Sequence, residues 1–318
     1  MDDGCAFLVC GEALIDLVPL ASQPEPVLRA VCGGSPYNVA IGLGRLGAET
    51  QFLGRLSRDA NGRRLADRLS DNGVDLALVA TGAAPSTLAY VFPPEEGRPD
   101  VSYAFYLEGT SGAVLWPEDF PRTLPPRIRF VHFGSFAALL PVSGSLIRDF
   151  AAGSGRVVSY DPNIRPSITP ELEAVRPVIA DCVAVADIVK LSDADAEWLY
   201  PGTPPDDVAT EMLRAGPSIV AVTRGAAGAI VHSRSARVSL PGIPTHVVDT
   251  VGAGDAFMAA FLWDLGRRGL INRQVLAGAG EADLAGAAAL ACQAAAIVCG
   301  RAGAEPPFAA ELATTARR

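Results

Sequence analysis

An aspartate follows two glycines in the stretch Asp249-Thr-Val-Gly-Ala-Gly-Asp255, and the apolar run "AFMAAFLWDLG" (256–266) comes directly after it. The run has helical period, and "THVV" (245–248) just upstream reads as a strand, so residues 251–254 form the turn between them. Glycines in such a turn let successive N–H groups face inward as an anion-binding nest at a helix N-terminus. Gly252, Ala253 and Gly254 could then hold the charge that develops on a phosphoryl group in transit. Asp255, one residue on, could accept the proton of an attacking hydroxyl. The same residues also fit a plain helix start, with Asp249 as N-cap and Asp255 as a first-turn acid, worth about 1 kcal/mol or less.

A second candidate lies near the N-terminus, in "CGGSPYNVA" (32–40). Gly33 and Gly34 let backbone approach a ligand without Cβ hindrance. Asn38 offers both a donor and an acceptor near a helix start, a combination that suits a polyol. An ordinary loop with Ser35 as N-cap and Pro36 at the first helical position fits the same residues. "GLGRLG" (42–47) matches the dinucleotide fingerprint, but that fingerprint follows a strand and opens a helix. Here the glycines come late in a helical segment that starts near Pro36, which assigns them to close helix packing and a C-cap at Gly47.

The chain that must position these residues has 318 of them, 49% hydrophobic, with a formal net charge of −9. That length can bury a large core, and no basic run offers a footprint for nucleic acid or anionic membrane. Six scattered cysteines without metal-ligand spacing read as reduced thiols of a cytoplasmic protein. The acidic N-terminus with its short apolar run does not look like a signal peptide. The least polar tract (284–300) falls short of the roughly 20 residues a spanning helix needs, and its small side chains suit a tightly packed core helix. Lys190 is the only lysine, which excludes a phosphate loop of the GxxxxGK[ST] type.

Short apolar runs at 6–10, 129–133, 156–161, 187–191 and 218–223 alternate with segments of helical period, several ending in Gly. Runs apolar on both faces, alternating with helices, predict a parallel sheet covered on both sides. Residues 13–32 and 86–109 carry no helix signal and read as two hairpins, with turns at "SQPEP" (22–26) and "PPEEGRP" (93–99). They would pair into a small β-sheet standing off the main body as a lid, and no linker divides the chain into independent domains.

"DTVGAGDAFMAAFL" resembles the C-terminal signature of the ribokinase-like (phosphofructokinase-B) carbohydrate kinases. "GGSPYNVAIGLGRLG" followed by "FLGRLSRDANG" is similar to their N-terminal signature, and the likeness spans nearly the whole chain. It implies a three-layer α/β/α sandwich, in a single kinase domain spanning residues 1–318, with a mainly parallel central sheet and a β-lid from about 13–32 and 86–110. It implies transfer of the γ-phosphate of ATP, with magnesium, to a primary hydroxyl of a monosaccharide. Asp16 in "GEALIDLVP" would bind sugar hydroxyls beside Gly33, Gly34 and Asn38. Arg165 in "DPNIRP" would lie near the transferred phosphate, although a surface arginine after a proline turn fits that stretch too. Thr223, Gly225 and Gly228 in "VTRGAAG" would meet the nucleotide. Asp249 matches a position that holds a monovalent cation such as potassium in many members, with 299–307 completing that loop. Lids of this kind often pair between subunits, which implies a homodimer.

Two departures stand out. The family's Asn-x-x-Glu element, which organises magnesium and phosphate, here reads Ser192 to Asp195, so the carboxylate would act on magnesium through water. Where fructokinases carry an arginine after "FY" and an Ala-Asp pair, this chain has Leu107 and Ser111-Gly112. Fructose still comes first among substrates, on "GEALIDLVP" and the proline of "GGSPYNVA", followed by 2-keto-3-deoxygluconate and ribose. A catalytically silent sugar or nucleotide sensor on the same fold, and a nicotinamide-dependent oxidoreductase built on "GLGRLG", are the rival readings.

Overall fold

In the computed structural model, which describes residues 5–20, 27–92, 102–168 and 171–315, the apolar run at 6–10 forms strand β1 (Ala6–Cys10), buried throughout. Its side chains alternate between two cores, Phe7 and Val9 in one and Ala6, Leu8 and Cys10 in the other. A central strand with both faces covered must divide its residues in this way.

The other strands are β2 (Leu14–Pro19), β3 (Leu28–Gly33), β4 (Glu49–Ser57), β5 (Val74–Asp75), β6 (Val79–Gly82), β7 (Leu88–Phe92) and β8 (Ser102–Tyr106). They continue with β9 (Ile128–Gly134), β10 (Val157–Asp161), β11 (Ile188–Ser192), β12 (Ile219–Thr223), β13 (Ala229–Ser233) and β14 (Arg237–Leu240). The main sheet has the order β14-β13-β12-β11-β10-β9-β1-β4-β5, with β6 also paired to β4. From β12 to β5 every pairing is parallel, and β12-β13-β14 forms an antiparallel edge that the apolar runs did not reveal.

The helices among the described residues are α1 (Ser35–Arg45), α2 (Ala60–Asp71), α3 (Ser143–Gly153), α4 (Leu172–Val185), α5 (Asp193–Leu199), α6 (Pro205–Ala215) and, after the last strand, α7 (Ala253–Arg267), α8 (Arg273–Leu276), α9 (Glu281–Cys299) and α10 (Ala309–Thr315). Buried residues of α1, α2, α7 and α9 belong to one core, and those of α3, α4, α5 and α6 to the other. The result is the expected α/β/α sandwich. Helix α9 is long and apolar enough to cross a membrane, yet Leu284, Ala287, Ala288, Ala291 and Val298 are buried in the core it shares with α7.

"GLGRLG" lies inside α1 and its C-terminal turn, with no strand leading into it. A Cβ on Gly42 would come within 2.7 Å of Ala259 Cβ, so this glycine lets α1 and α7 cross closely. Gly47, at φ 80°, follows the helix end. The geometry a dinucleotide fingerprint requires is therefore missing, and the oxidoreductase reading falls with it.

The lid forms a separate sheet of order β3-β2-β7-β8, in which two antiparallel hairpins meet through the parallel pair β2–β7. The turns expected at 22–26 and 93–99 lie outside the described residues. One expected strand does not form. Residues 245–248 pair with no sheet, and Val247 and Val248 are more than half exposed. Their tie to the fold is a hydrogen bond from Val248 N to Cys299 O at 2.8 Å, and their segment walls a cavity instead.

Candidate active site

Asp255 lies at the third position of α7, 8% exposed. Gly252, the N-cap, has φ 79°, and a Cβ there would come within 2.5 Å of Ala304 Cβ. Glycine is thus required twice, by conformation and by space. Among the described residues the N–H groups of Gly252, Gly254 and Asp255 have no partner, as expected where a helix begins. The nest differs from the expected one in a single member: Ala253 N–H is turned to Thr250 O at 3.2 Å. Asp255's own N–H stands in its place.

Among the described residues the Asp255 carboxylate forms no ion pair. Ser35 Oγ donates to its Oδ1 at 2.7 Å, and Asn38 Nδ2 donates to its Oδ2 at 2.8 Å. Both donors come from the first turn of α1, so the two glycine-rich motifs converge on one carboxylate. Ser35 is not an N-cap; that position belongs to Gly34, at φ 112°, where a Cβ would meet Glu12 O at 2.8 Å.

Around Asp255 opens a cavity of about 490 Å³. Asp16, Gly34, Asn38, Arg165, Asp195, Thr223, Gly225 and the Gly252–Asp255 turn all line it. Gly33 does not. Its missing Cβ makes room for the Asp16 carboxylate, since a Cβ there would lie 2.2 Å from Asp16 Oδ2. Burial pushes the Asp16 carboxyl up to about 7; Arg165 opposes the rise and the nearby Asp255 adds to it.

Arg165 stands over the Tyr103 ring of the lid, its Cζ 5.8 Å from the centroid. Two aspartates set the turn that carries it. Asp161 Oδ1 accepts from Asn163 N at 3.2 Å, and Asp195 Oδ1 accepts from Ile164 N at 2.8 Å. Asp195 Oδ2 also takes the Ser192 N–H and hydroxyl, closing the capping box of α5. The Ser192/Asp195 departure therefore keeps a structural brace, and with three contacts made the carboxylate has little left for direct metal ligation. Among the described residues no group of three or more His, Cys, Asp or Glu side chains could cage a metal. That donor set fits a magnesium ion that keeps its waters, as the ion prefers.

Asp249 lies outside the cavity wall and is not the N-cap of α7. Its carboxylate accepts from Val251 N at 3.0 Å and Gly303 N at 2.8 Å, tying the turn before α7 to the 299–303 loop. A second, apolar cavity of about 540 Å³ shares Thr223, Gly225, Ala253 and Gly254 with the first. Gly228 belongs to this one, beside Ile243, Val247, Phe257 and Ala296. The exposed "THVV" segment is part of that wall.

Three residues of the site escaped sequence reasoning. Lys190 Nζ pairs with Asp161 Oδ2 at 2.7 Å, both side chains almost fully buried. The ammonium sits under the α7 turn, 2.8 Å from where a Gly254 Cβ would be. Burial alone would push Lys190 down, but the Asp161 carboxylate raises it, so the ammonium stays charged. Its singularity in the sequence was the available signal. Glu12 is 1% exposed, and burial pushes its carboxyl up to about 7 against hydrogen bonds from Ser135, Ala137 and Ser35. Ser35 is the third.

The profile of the "pfkB family carbohydrate kinase" matches residues 7–310. A fructokinase of Rhizobium leguminosarum bv. trifolii is 36% identical over 282 residues, covering 87% of this chain and 85% of its own. Fructokinase-1 of Oryza sativa subsp. japonica is 34% identical over 79% of this chain and 80% of its own. Among solved structures, the ATP-bound fructokinase of Xylella fastidiosa superposes with a TM-score of 0.87 at 24% identity, over 100% of this chain and 99% of its own, a likeness of fold. A Vibrio cholerae O395 fructokinase double mutant, solved with fructose, ADP and potassium, gives 0.83 at 25% identity over 97% of each chain. The chain belongs to the pfkB family of carbohydrate kinases.

Proposed function

We propose that this kinase transfers the γ-phosphate of ATP to a primary hydroxyl of fructose. One observation carries the chemistry: a carboxylate held by the neutral donors Ser35 and Asn38 shares a cavity wall with open N–H groups at a helix N-terminus. Asp255 takes the proton of the sugar alcohol. The N–H groups of Gly252, Gly254 and Asp255, with the charges of Arg165 and Lys190, stabilise the phosphoryl group as it passes. The work is mostly positioning and charge neutralisation.

Asp16 and Asn38, with the Gly33-Gly34 turn behind them, bind the sugar under the lid. Thr223, Gly225 and Gly228 line the nucleotide's path into the apolar cavity. Asp195 would meet magnesium through water, and the ion would supply charge neutralisation for the phosphates. Asp249 shapes the loop in which a monovalent cation would be held. Six free thiols agree with a cytoplasmic enzyme, one kinase domain carrying the lid. Tyr106 and Phe92, 61% and 40% exposed on the lid, suit its pairing with a second copy. The preference for fructose rests on the fructokinase relatives.

A coupled ADP-release assay with a panel of fructose, 2-keto-3-deoxygluconate and ribose tests the reading. Fructose gives the highest kcat/KM, and Asp255→Asn lowers kcat by at least about 10²-fold while the fold is kept. Near-normal turnover in that variant rejects Asp255 as the base. Binding of sugar and ATP without turnover in the native enzyme would point to a sensor.

A further inference from the structure

A serine at the start of a helix normally spends its hydroxyl on the helix's own N–H groups. Ser35 does not, because Gly34 occupies the N-cap and no side-chain cap bond forms. Its hydroxyl crosses to Asp255 Oδ1, a residue 220 positions away, while Asn38 holds Oδ2. Ser35 and Asn38 are three residues apart on one helix face, so the two donors form a fork of fixed width. Behind the fork lies the buried Glu12 carboxyl, whose rise in pKa on burial is opposed by Ser135, Ala137 and Ser35 around it. Glu12 and Ser35 are both buried.

We infer that Ser35 is a positioning residue for the phosphoryl transfer: with Asn38 it fixes the plane of the Asp255 carboxylate, so that an unused lone pair faces the sugar alcohol. A carboxylate offers about four acceptor positions, and this fork fills two of them. The inference rests on the reading of Asp255 as the base. Loss of the Ser35 hydroxyl leaves the carboxylate held by Asn38 at Oδ2 alone, so it can turn about its Cβ–Cγ bond, a coordinate on which proton transfer depends and ground-state binding does not.

The test compares Ser35→Ala and Ser35→Cys with the native enzyme, using fructose and MgATP. Ser35→Ala lowers kcat about tenfold, the scale of one lost hydrogen bond to a charged group. The KM values for sugar and ATP stay within about twofold. Ser35→Cys, nearly isosteric with a weak S–H donor, falls between the two. Enzyme carrying ¹³C-labelled aspartate carboxyls gives a readout independent of turnover, with the Asp255 resonance identified by its loss in Asp255→Asn. That resonance moves in Ser35→Ala. A native kcat in Ser35→Ala, a loss confined to KM, or an unmoved resonance overturns the inference. Should the native enzyme release no ADP with any sugar, the kinase reading fails while the resonance still reports whether Ser35 holds Asp255.

Discussion

Replacing Lys190 by methionine separates what the buried ion pair does for folding from what it does for catalysis. Lys190 Nζ lies 2.7 Å from Asp161 Oδ2, with side-chain exposures of 4% and 1%. Removing one partner of such a pair leaves an uncompensated buried charge, which costs about 3–5 kcal/mol. Asp161 can limit the loss by taking a proton. Burial already pushes its carboxyl up to about 6 although Lys190 opposes the rise, and Asp195 and Asp255 push the same way as burial. Without the ammonium it rises further. A carboxyl whose pKa is higher folded than unfolded binds more protons in the native state across that interval, so stability falls as pH rises through it. The slope approaches about 1.4 kcal/mol per pH unit for one proton. Urea melts of Lys190→Met between pH 5 and 8 therefore show a steeper decline toward alkaline pH than the native protein does. At pH 7.5 the variant melts about 6–10 °C lower, at roughly 2 °C per kcal/mol for a chain of this size. Adding Asp161→Asn removes the stranded charge, restores most of the stability and flattens the slope. Turnover in the double variant nonetheless stays down by about 10²-fold, because the cation under the nest is gone. A single variant with no added pH slope, or a double variant no more stable than the single, refutes the buried-charge argument. A double variant with native kcat refutes the catalytic one.

Two further expectations concern the sugar pocket and the nest. With Asp16 pushed up to about 7, its carboxylate loses the charge that accepts sugar hydroxyls as pH falls through that value. The sugar KM should therefore climb toward pH 6 and level off above pH 8, and Asp16→Asn should abolish the trend; a flat native profile from pH 5.5 to 8.5 counts against Asp16 as the acceptor. Gly254→Ala brings a Cβ within 2.8 Å of Lys190 Nζ and should lower kcat several-fold. Gly153→Ala, at the end of α3 with open space around it, should raise stability by up to about 1 kcal/mol; a similar kcat loss in both would make the Gly254 effect unspecific.

The parallel core and the lid were legible in the sequence because each rests on a local signal. Runs such as Ala6–Cys10 are apolar at every position, which only a strand covered on both faces tolerates. The "THVV" segment misled for the same reason. Val247 walls a cavity, and nothing local distinguishes a cavity wall from a sheet interior. The antiparallel edge is harder to read because its outer strand, β14, has four residues whose positions alternate between exposed and buried.

At the site, residue type and order announced Asp255 and its glycines, whereas the partners of Asp255 could not be read. The contact between Ser35 and Asp255 joins positions 220 residues apart, on helices whose close approach at Gly42 and Ala259 leaves no room for a Cβ. The glycines dismissed as a false nucleotide fingerprint thus have a consequence for the chemistry. By setting the distance between two helices, Gly42 sets the distance between a base and the donors that orient it. Gly42→Ala should on this argument act like a mild Ser35→Ala, because pushing α1 away from α7 stretches both the 2.7 and 2.8 Å hydrogen bonds to Asp255 at once. A clash of 2.7 Å against another Cβ cannot be relieved by a side-chain rotation, so the helices must move. The kinetic signature is a fall in kcat at nearly constant sugar KM, and a Gly42→Ala enzyme that turns over normally would show that the fork tolerates a wider helix spacing than its hydrogen-bond lengths imply.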